Sequence, residues 1–170
     1  IYTADNGPWN QDKYTLKKKG HPEGSVFWGD AGPLRNGKGS PYEGGYRLPC
    51  IVRWPGIVPD NRECDKLIAA IDLLPTLAHA CGVEVNSDSR AIPKIDGLNI
   101  WDSLIQKKDA QHARTNLLYW NGWAKLEAIR LGKWKLYLRE IKDVPGSADG
   151  PVLFDLQSDP GESRNLAASH

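Results

Sequence analysis

An acidic and an amide side chain stand next to each other near the start of the sequence. Asp5 and Asn6 follow the apolar pair Ile1-Tyr2 and precede Gly7-Pro8, a pair typical of a turn. Carboxylate and amide oxygens are the ligands that hard cations such as Ca²⁺ and Mg²⁺ prefer, but these ions take about six to eight oxygens. Asp5 and Asn6 therefore predict part of a cation site, although the tripeptide Asp5-Asn6-Gly7 by itself is more often a simple turn.

A lysine flanked by glycines follows later in the chain. Lys38 stands between Gly37 and Gly39, and glycine lets the backbone approach a ligand closely because it has no side chain. The long lysine stem then carries a positive charge to an anion. A lone loop lysine is more often a solvated surface residue, but a cation site and a lysine together can offset the charge of a doubly charged ester. The combination predicts chemistry on such an ester.

The segment after Lys38 contains a glycine pair between charged residues. Glu43 precedes Gly44-Gly45, and Arg47 follows them. We predict a turn in which Glu43 and Arg47 pair and brace the loop, a structural rather than a catalytic role. His79 has no partner motif nearby, so it is predicted to be an ordinary surface or boundary histidine.

The bulk composition argues against two classes of function. A chain of 170 residues can form one sizeable core, or a small domain with a subdomain. Lys and Arg number 22 against 21 Asp and Glu, so the net charge of +1 gives no sign of the basic stripe of a nucleic-acid-binding protein. The apolar runs around residues 68–71 and 117–120 are far too short to span a bilayer. We therefore expect neither a nucleic-acid partner nor a membrane partner.

The cysteines and the absence of methionine bear on the origin of the chain. Cys50, Cys64 and Cys81 show no C-x-x-C spacing, so a zinc site is not predicted, and one disulfide with one free thiol stays open. The sequence contains no methionine and begins within an apolar strand. We predict a fragment or a processed product that has lost any targeting segment.

Strand and helix signals in the first half place the polar residues. Residues 1–3 are predicted to be the end of a strand that leads into the Asp5 loop, and residues 9–40 a long loop. The apolar run at residues 48–54 predicts a strand between prolines. A helix from Asp72 to Gly82 is indicated by apolar residues that fall on one face, namely Leu74, Leu77, Ala78 and Cys81.

The second half is typical of an antiparallel sheet. A short helix is predicted at residues 100–106, with Ile100, Trp101, Leu104 and Ile105 inward. Strand-like runs follow, with a hairpin at Gly132-Lys133 and a turn at residues 159–162; the runs are residues 117–120, 128–131, 134–138 and 152–156. The predicted fold class is α/β. We predict that residues 1–108 form the edge of an α/β sheet and that residues 109–170 form a C-terminal subdomain with a small antiparallel sheet and helices.

These motifs occur in the order found in one enzyme family. Further segments accompany those around Asp5, Lys38 and Glu43, namely Trp54-Pro55-Gly56 and residues 71–77, 95–98, 129–136 and 153–166. Together they cover nearly the whole chain and resemble the C-terminal part of the type I sulfatases, within the alkaline-phosphatase-like superfamily. Arylsulfatases and N-acetylgalactosamine-6-sulfatases are similar. Each motif alone is weak, whereas the ordered series is specific, and it implies an alkaline-phosphatase-like α/β sheet.

The resemblance implies roles for three residues. Asp5 and Asn6 would be two ligands of a Ca²⁺ ion, and Lys38 would be the catalytic lysine that binds a sulfate oxygen. The implied reaction is hydrolysis of an aryl or sugar sulfate by a formylglycine nucleophile, formed from a cysteine in a C-x-P-S-R or similar motif. The implied partner is a sulfated small molecule or glycan, and the implied location is periplasmic, secreted or lysosomal.

The sequence departs from the family at the nucleophile. It contains no C-x-P-S-R, and the family's N-terminal aspartate pair on the metal, its active-site histidines and its second lysine have no counterpart. The missing N-terminal sulfatase portion is therefore an implied partner. We expect this chain alone to be inactive, with the formylglycine upstream of it.

Two alternatives stay open. A phosphonate or phosphodiester hydrolase of the same superfamily is distinguished by its nucleophile motif. A non-catalytic truncated module that binds sulfated ligands is the other possibility. The segment Trp120-Asn121-Gly122-Trp123 is a candidate wall for stacking on a sugar or aryl group, although core and boundary packing is the simpler interpretation of seven tryptophans.

Overall fold

The computed structural model describes most of the chain, namely residues 1–9, 29–83, 85, 95–106, 114–121, 123–138, 141, 144 and 150–170. Most of the long loop predicted at residues 9–40 lies outside these residues. Within them, the chain divides into two compact units. Residues 1–2 and 50–117 form the first, here called the helical unit, and residues 3–49 and 118–170 form the second, the sheet unit. The predicted domain boundary after residue 108 stays a prediction.

Among the described residues, the helical unit contains most of a two-stranded sheet and two helices. Strand β1 is Tyr2–Thr3 and pairs with β2, Cys50–Ile51, so only the centre of the run predicted at residues 48–54 is a strand. Helix α2 is Leu73–Ala80 and follows a 3₁₀ turn at Ala70–Asp72. Helix α3, Trp101–Leu104, is shorter than the helix predicted at residues 100–106.

Helix α2 confirms the clearest helix signal of the sequence, but its apolar face is not buried. It starts after Asp72 and stops before Gly82, whose φ of 71° suits a helix end. Leu74 and Leu77 are 61% and 45% exposed, whereas Thr76 is buried. The burial in this unit instead joins Thr76 to Ile100, whose backbone N–H donates to the Thr76 hydroxyl at 3.0 Å.

The sheet unit contains helix α1, Glu43–Tyr46, where the sequence predicted a turn. It also holds most of a four-stranded sheet in the order β3-β4-β5-β6. The strands are Asn116–Trp120, Leu126–Leu131, Trp134–Tyr137 and Val152–Asp155. Strands β4 and β5 are antiparallel, as are β5 and β6. The antiparallel sheet predicted for the second half is therefore confirmed.

A tight hairpin and an aromatic core hold the sheet together. Leu131 pairs with Trp134, so β4 and β5 are joined by two residues, and Gly132 has a φ of 57°. Tyr137 and Phe154 are almost fully buried, and their rings meet edge to face at 5.8 Å. This packing makes the sheet a rigid support for helix α1, which contacts it within the unit.

The described residues bear on two further predictions, one about a disulfide and one about a membrane span. Cys50, Cys64 and Cys81 are free and exposed, so the structure has no disulfide among them. Within the part of the chain that the structure describes, no helix has the length and apolar character needed to cross a membrane.

Candidate functional site

The candidate cation ligands lie side by side in the loop after β1. Asp5 is exposed and Asn6 is half-buried. The Asn6 side-chain amide donates to Asp5 Oδ1 at 2.9 Å, so the two side chains are in contact. A half-turn of the amide exchanges its N–H₂ group for its oxygen at that position, since the two ends have nearly the same shape. The loop thus presents one carboxylate and one amide in the same small space.

Close backbone packing fixes this loop against helix α1. The Gly7 N–H donates to the Gly45 carbonyl at 2.9 Å. A Cβ atom at Gly7 would lie 1.8 Å from the Gly44 carbonyl oxygen, a distance that no side chain tolerates. Glycine is therefore required at position 7, and the loop of Asp5 and Asn6 has no slack relative to α1.

The loop of Lys38 contacts both α1 and the Asp5 loop. The Lys38 N–H donates to the Pro8 carbonyl at 2.8 Å, and the Lys38 side chain is exposed, with its Nζ 5.5 Å from the centre of the Trp9 ring. A Cβ atom at Gly45 would lie 2.4 Å from the Ser40 carbonyl oxygen. The structure therefore brings the predicted cation ligands and the predicted anion-binding lysine into neighbouring loops on one helix.

The donor set fits a hard cation in type but not in number. One carboxylate and one amide oxygen suit Ca²⁺, which takes about six to eight oxygens. Among the described residues, no group of three or more His, Cys, Asp or Glu side chains is arranged to hold a metal. Two side chains would supply at most part of such a coordination shell, so the cation site at Asp5 and Asn6 stays a prediction.

Helix α1 rests on a buried ionic cluster that the sequence analysis missed. We call it the clamp cluster: Glu43, Lys135 and Glu162, each at most 2% exposed. Lys135 Nζ lies 3.0 Å from Glu43 Oε1 and 2.9 Å from Glu162 Oε1. Glu162 Oε2 also accepts the Glu43 backbone N–H at 2.7 Å. The predicted pairing of Glu43 with Arg47 is wrong, because Glu43 turns inward to Lys135 while Arg47 is exposed.

Two tyrosine hydroxyls also donate hydrogen bonds to the carboxylates of the clamp cluster. The Tyr119 hydroxyl donates to Glu43 at 2.9 Å, and the Tyr137 hydroxyl donates to Glu162 at 2.8 Å. Burial raises the pKa of both phenols, and the charges of Glu43 and Glu162 beside them raise it further. Both tyrosines therefore stay neutral and keep donating at any working pH.

A second buried ion pair lies in the helical unit. Asp72 is fully buried and accepts a hydrogen bond from Arg114 Nε at 3.0 Å and from the Leu98 and Ala69 N–H groups at 2.8 Å each. Burial by itself would raise the pKa of Asp72, but the hydrogen bonds, with Arg114 first, hold it below its ordinary value. Because every acceptor site of Asp72 serves this packing, the pair has a structural role.

The tryptophans of the predicted stacking wall are exposed. Trp120 is 49% exposed and Trp123 is 91% exposed. Asn121 braces the turn that carries Trp123, because its side-chain oxygen accepts the N–H groups of Trp123 and Lys125 at 2.9 and 3.0 Å. Trp123 is therefore not a core or boundary residue, whereas the half-exposed Trp120 fits a boundary position as well as a stacking wall.

Comparison with known proteins decides the family. Residues 37–170 match the family described as N-sulphoglucosamine sulphohydrolase, C-terminal. The chain belongs to this family of sulfatase C-terminal domains. Mouse (Mus musculus) steryl-sulfatase is 32% identical to the chain over 169 residues, which cover 85% of the chain and 26% of the mouse protein. N-acetylgalactosamine-6-O-sulfatase from Bacteroides thetaiotaomicron is 31% identical over 184 residues, which cover all of the chain and 33% of that protein.

A solved structure shows that the sulfatase domain has the expected fold. The crystal structure of the PsFucS1 sulfatase from Pseudoalteromonas sp. superposes with a TM-score of 0.69 at 24% identity, over 99% of this chain and 32% of that one. The α/β, alkaline-phosphatase-like fold class predicted from the sequence is therefore confirmed. The chain spans about a quarter to a third of the length of the relatives it matches.

Proposed function

We propose that this sulfatase domain contributes one side of a site that hydrolyses sulfate esters. Asp5 and Asn6 would hold a Ca²⁺ ion, and Lys38 would bind an oxygen of the sulfate group. The observation that carries the proposal is the meeting of the two loops beside helix α1. The Gly7–Gly45 backbone hydrogen bond joins the Asp5 loop to α1, and the Lys38–Pro8 hydrogen bond joins the two loops to each other. Membership of a sulfatase family supports the choice of a sulfate rather than another doubly charged ester.

The chemistry of Lys38 follows from its charge and exposure. An exposed ammonium on a loop held by backbone hydrogen bonds can meet a sulfate oxygen without leaving its place. As the S–O bond to the alcohol breaks, charge is redistributed over the oxygens, and a fixed positive group beside them stabilises that arrangement. A bound Ca²⁺ would add Lewis-acid stabilisation of the same oxygens. In this proposal the nucleophile is a formylglycine that lies outside this chain.

The proposed substrate class is an aryl or sugar sulfate. The names of the relatives given above point to different alcohols, a sterol in one and an amino sugar in the other, so they do not narrow the class further. Trp120 and Trp123 are exposed aromatic rings that suit stacking on the apolar face of either kind of ring. An N-terminal sulfatase portion is the proposed partner, and a periplasmic, secreted or lysosomal location is proposed with it.

The metal half of the proposal is tested by replacing Asp5. In the protein that carries this chain, Asp5→Asn is compared with Asp60→Asn, a matched change at an exposed aspartate elsewhere on the surface. We expect Asp5→Asn to lower the affinity for Ca²⁺ about 10-fold or more, because a charged ligand becomes neutral. Asp60→Asn should leave it unchanged. Calcium affinity is measured by titration calorimetry after chelator treatment.

The choice of substrate is tested with three chromogenic esters that share one leaving group. Hydrolysis of 4-nitrophenyl sulfate is compared with that of bis-4-nitrophenyl phosphate and a 4-nitrophenyl phosphonate. Preference for the sulfate supports the proposal. Preference for either phosphorus ester would favour the phosphonate or phosphodiester alternative. Binding of inorganic sulfate without turnover of any ester would favour the non-catalytic module.

A further inference from the structure

The clamp cluster contains more charge than packing alone requires. Glu43, Lys135 and Glu162 are buried side chains, and Arg130 adds a second cation 3.4 Å from Glu43 Oε2. Two carboxylates thus face two cations, and the charges balance. Burying ions is costly, and a buried ion pair replaced by apolar side chains of similar size often leaves stability unchanged or improves it. Stability is therefore a weak reason for the cluster to exist.

The cluster fixes the position of the start of helix α1. The Lys135 ammonium has three protons, and three oxygens surround it: Glu43 Oε1, Glu162 Oε1 and the Pro41 carbonyl at 2.8 Å. Glu162 Oε2 meanwhile accepts the first backbone N–H of α1. A fully coordinated buried ammonium fixes the positions of its partners far more narrowly than apolar contacts do. The start of α1 is therefore held at both its backbone and its side chain.

The glycines of α1 connect the helix to the two loops. A Cβ atom at Gly44 would lie 2.1 Å from the Asn36 carbonyl oxygen, and the Gly44 N–H donates to the Arg35 carbonyl at 2.9 Å. Arg35 is in turn bonded through its side chain to the Glu162 carbonyl at 2.8 Å. Together with the Gly7–Gly45 contact, these bonds leave no free space between α1 and either loop.

We propose that the clamp cluster is a positioning device for the sulfate and cation site. Lys135, Glu43 and Glu162 fix helix α1, and the glycines of α1 fix the loops of Asp5, Asn6 and Lys38. All three cluster residues are buried, so we assign them a positioning role and not contact with substrate or metal. The expected effect on catalysis rests on the proposed function. The expected effect on the rigidity of the two loops does not depend on it.

The test uses Lys135→Met in the protein that carries this chain, because methionine has nearly the same length without the charge. The matched control is Arg114→Met, which also leaves a buried carboxylate, Asp72, without its cation. That ion pair lies in the helical unit, whereas Asp5, Asn6 and Lys38 lie in the sheet unit. If Lys135→Met does not fold, Glu162→Gln replaces it, since it keeps the side-chain shape and removes one charge.

The first readout is amide hydrogen exchange, which needs no assumption about function. Peptides that cover residues 5–9 and 35–46 contain the amides of Gly7, Lys38 and Gly44, all of which donate to backbone carbonyls. At a temperature where every variant is folded, we expect Lys135→Met to speed exchange in these peptides about 10-fold or more. Arg114→Met should leave their exchange unchanged and affect only peptides of the helical unit.

The second readout is kcat/KM for 4-nitrophenyl sulfate at the same temperature. A displacement of the loops by about 1 Å lowers the rate by about 10²-fold, so Lys135→Met should lose about that much and Arg114→Met should not. Equal losses in both variants, or unchanged exchange in the loop peptides, would overturn the inference. Faster loop exchange with unchanged hydrolysis would support the clamp and overturn the proposed role of the loops in catalysis.

Discussion

The close contact between Gly7 and helix α1 predicts that adding one methyl group, in Gly7→Ala, destabilises the protein. In Gly7→Ala the new Cβ atom would lie 1.8 Å from the Gly44 carbonyl oxygen, whereas real Cβ atoms stay at least 3.0 Å from such a neighbour. The loop and the helix must therefore separate by roughly 1.2 Å, and both partners are backbone, which has no flexible end to move aside.

The cost of this separation is worked from two contributions. The Gly7–Gly45 hydrogen bond, 2.9 Å long, is stretched beyond its useful range, which costs about 1 kcal/mol. Forcing an extra carbon into a closely packed site costs about 1–3 kcal/mol. The free energy of unfolding should thus fall by about 2–4 kcal/mol.

Gly39→Ala is the matched control. Gly39 has a φ of 84° and open space around its Cβ position, so its replacement brings only backbone strain of about 1 kcal/mol. Both variants restrict the unfolded chain by the same amount, so that effect cancels between them.

The assay is urea-induced unfolding followed by tryptophan fluorescence, with seven tryptophans as reporters. We expect Gly7→Ala to lose at least about 1 kcal/mol more stability than Gly39→Ala. Equal losses, or a smaller loss for Gly7→Ala, would refute the reasoning that the loop and α1 have no slack.

Two further predictions concern the buried polar groups. Asp72→Asn should destabilise the protein by about 3 kcal/mol at pH 7. Because the pKa of Asp72 is lowered in the folded protein, wild type should lose this advantage as the pH falls below about 4, and the difference in urea midpoint should shrink there; a constant difference would contradict the pKa argument. Tyr137→Phe should cost about 1.5–3 kcal/mol by removing a donor to Glu162. Tyr2→Phe, at an exposed position, should cost less than about 0.5 kcal/mol in the same unfolding experiment.

Local signals predicted those elements whose boundaries depend on neighbouring residues. The hairpin at Gly132-Lys133 and the helix stop at Gly82 both follow from a glycine with positive φ. The turn that starts at Asp159 is closed by the Glu162 N–H at 3.2 Å, as the Asp-Pro-Gly-Glu sequence indicated. In each case the geometry is decided within a few residues, which is the range over which a sequence pattern carries information.

The clamp cluster could not be predicted because its members are far apart in the chain. Lys135 and Glu43 are separated by 92 residues, and Glu43 and Glu162 by 119. Alternation along β5 places Lys135 and Tyr137 on one face, but a face that carries a lysine is normally expected to face solvent. The one local signal in the sequence was Tyr137 two residues after Lys135, because an aromatic residue on the same face favours burial of that face, and the structure shows Tyr137 buried.

Helix α2 shows the limit of periodicity. The spacing of Leu74 and Leu77 correctly predicted a helix with an apolar face, because residues three and four apart share one side. Whether that face is covered depends on what packs against it, and periodicity carries no information on this. Within the described residues the face is largely exposed, and the buried polar residues Asp72 and Thr76 do the packing instead.

The central claim is that Lys38 binds the sulfate group, and one kinetic measurement tests it most directly. In the protein that carries this chain, kcat/KM for 4-nitrophenyl sulfate is measured for Lys38→Ala and for Lys66→Ala. Lys66 is an exposed lysine of the helical unit and serves as the control. We predict a loss of about 10²–10³-fold for Lys38→Ala and no loss for Lys66→Ala. If Lys38→Ala keeps its rate to within about 3-fold, Lys38 does not stabilise the transition state and the proposed site is wrong.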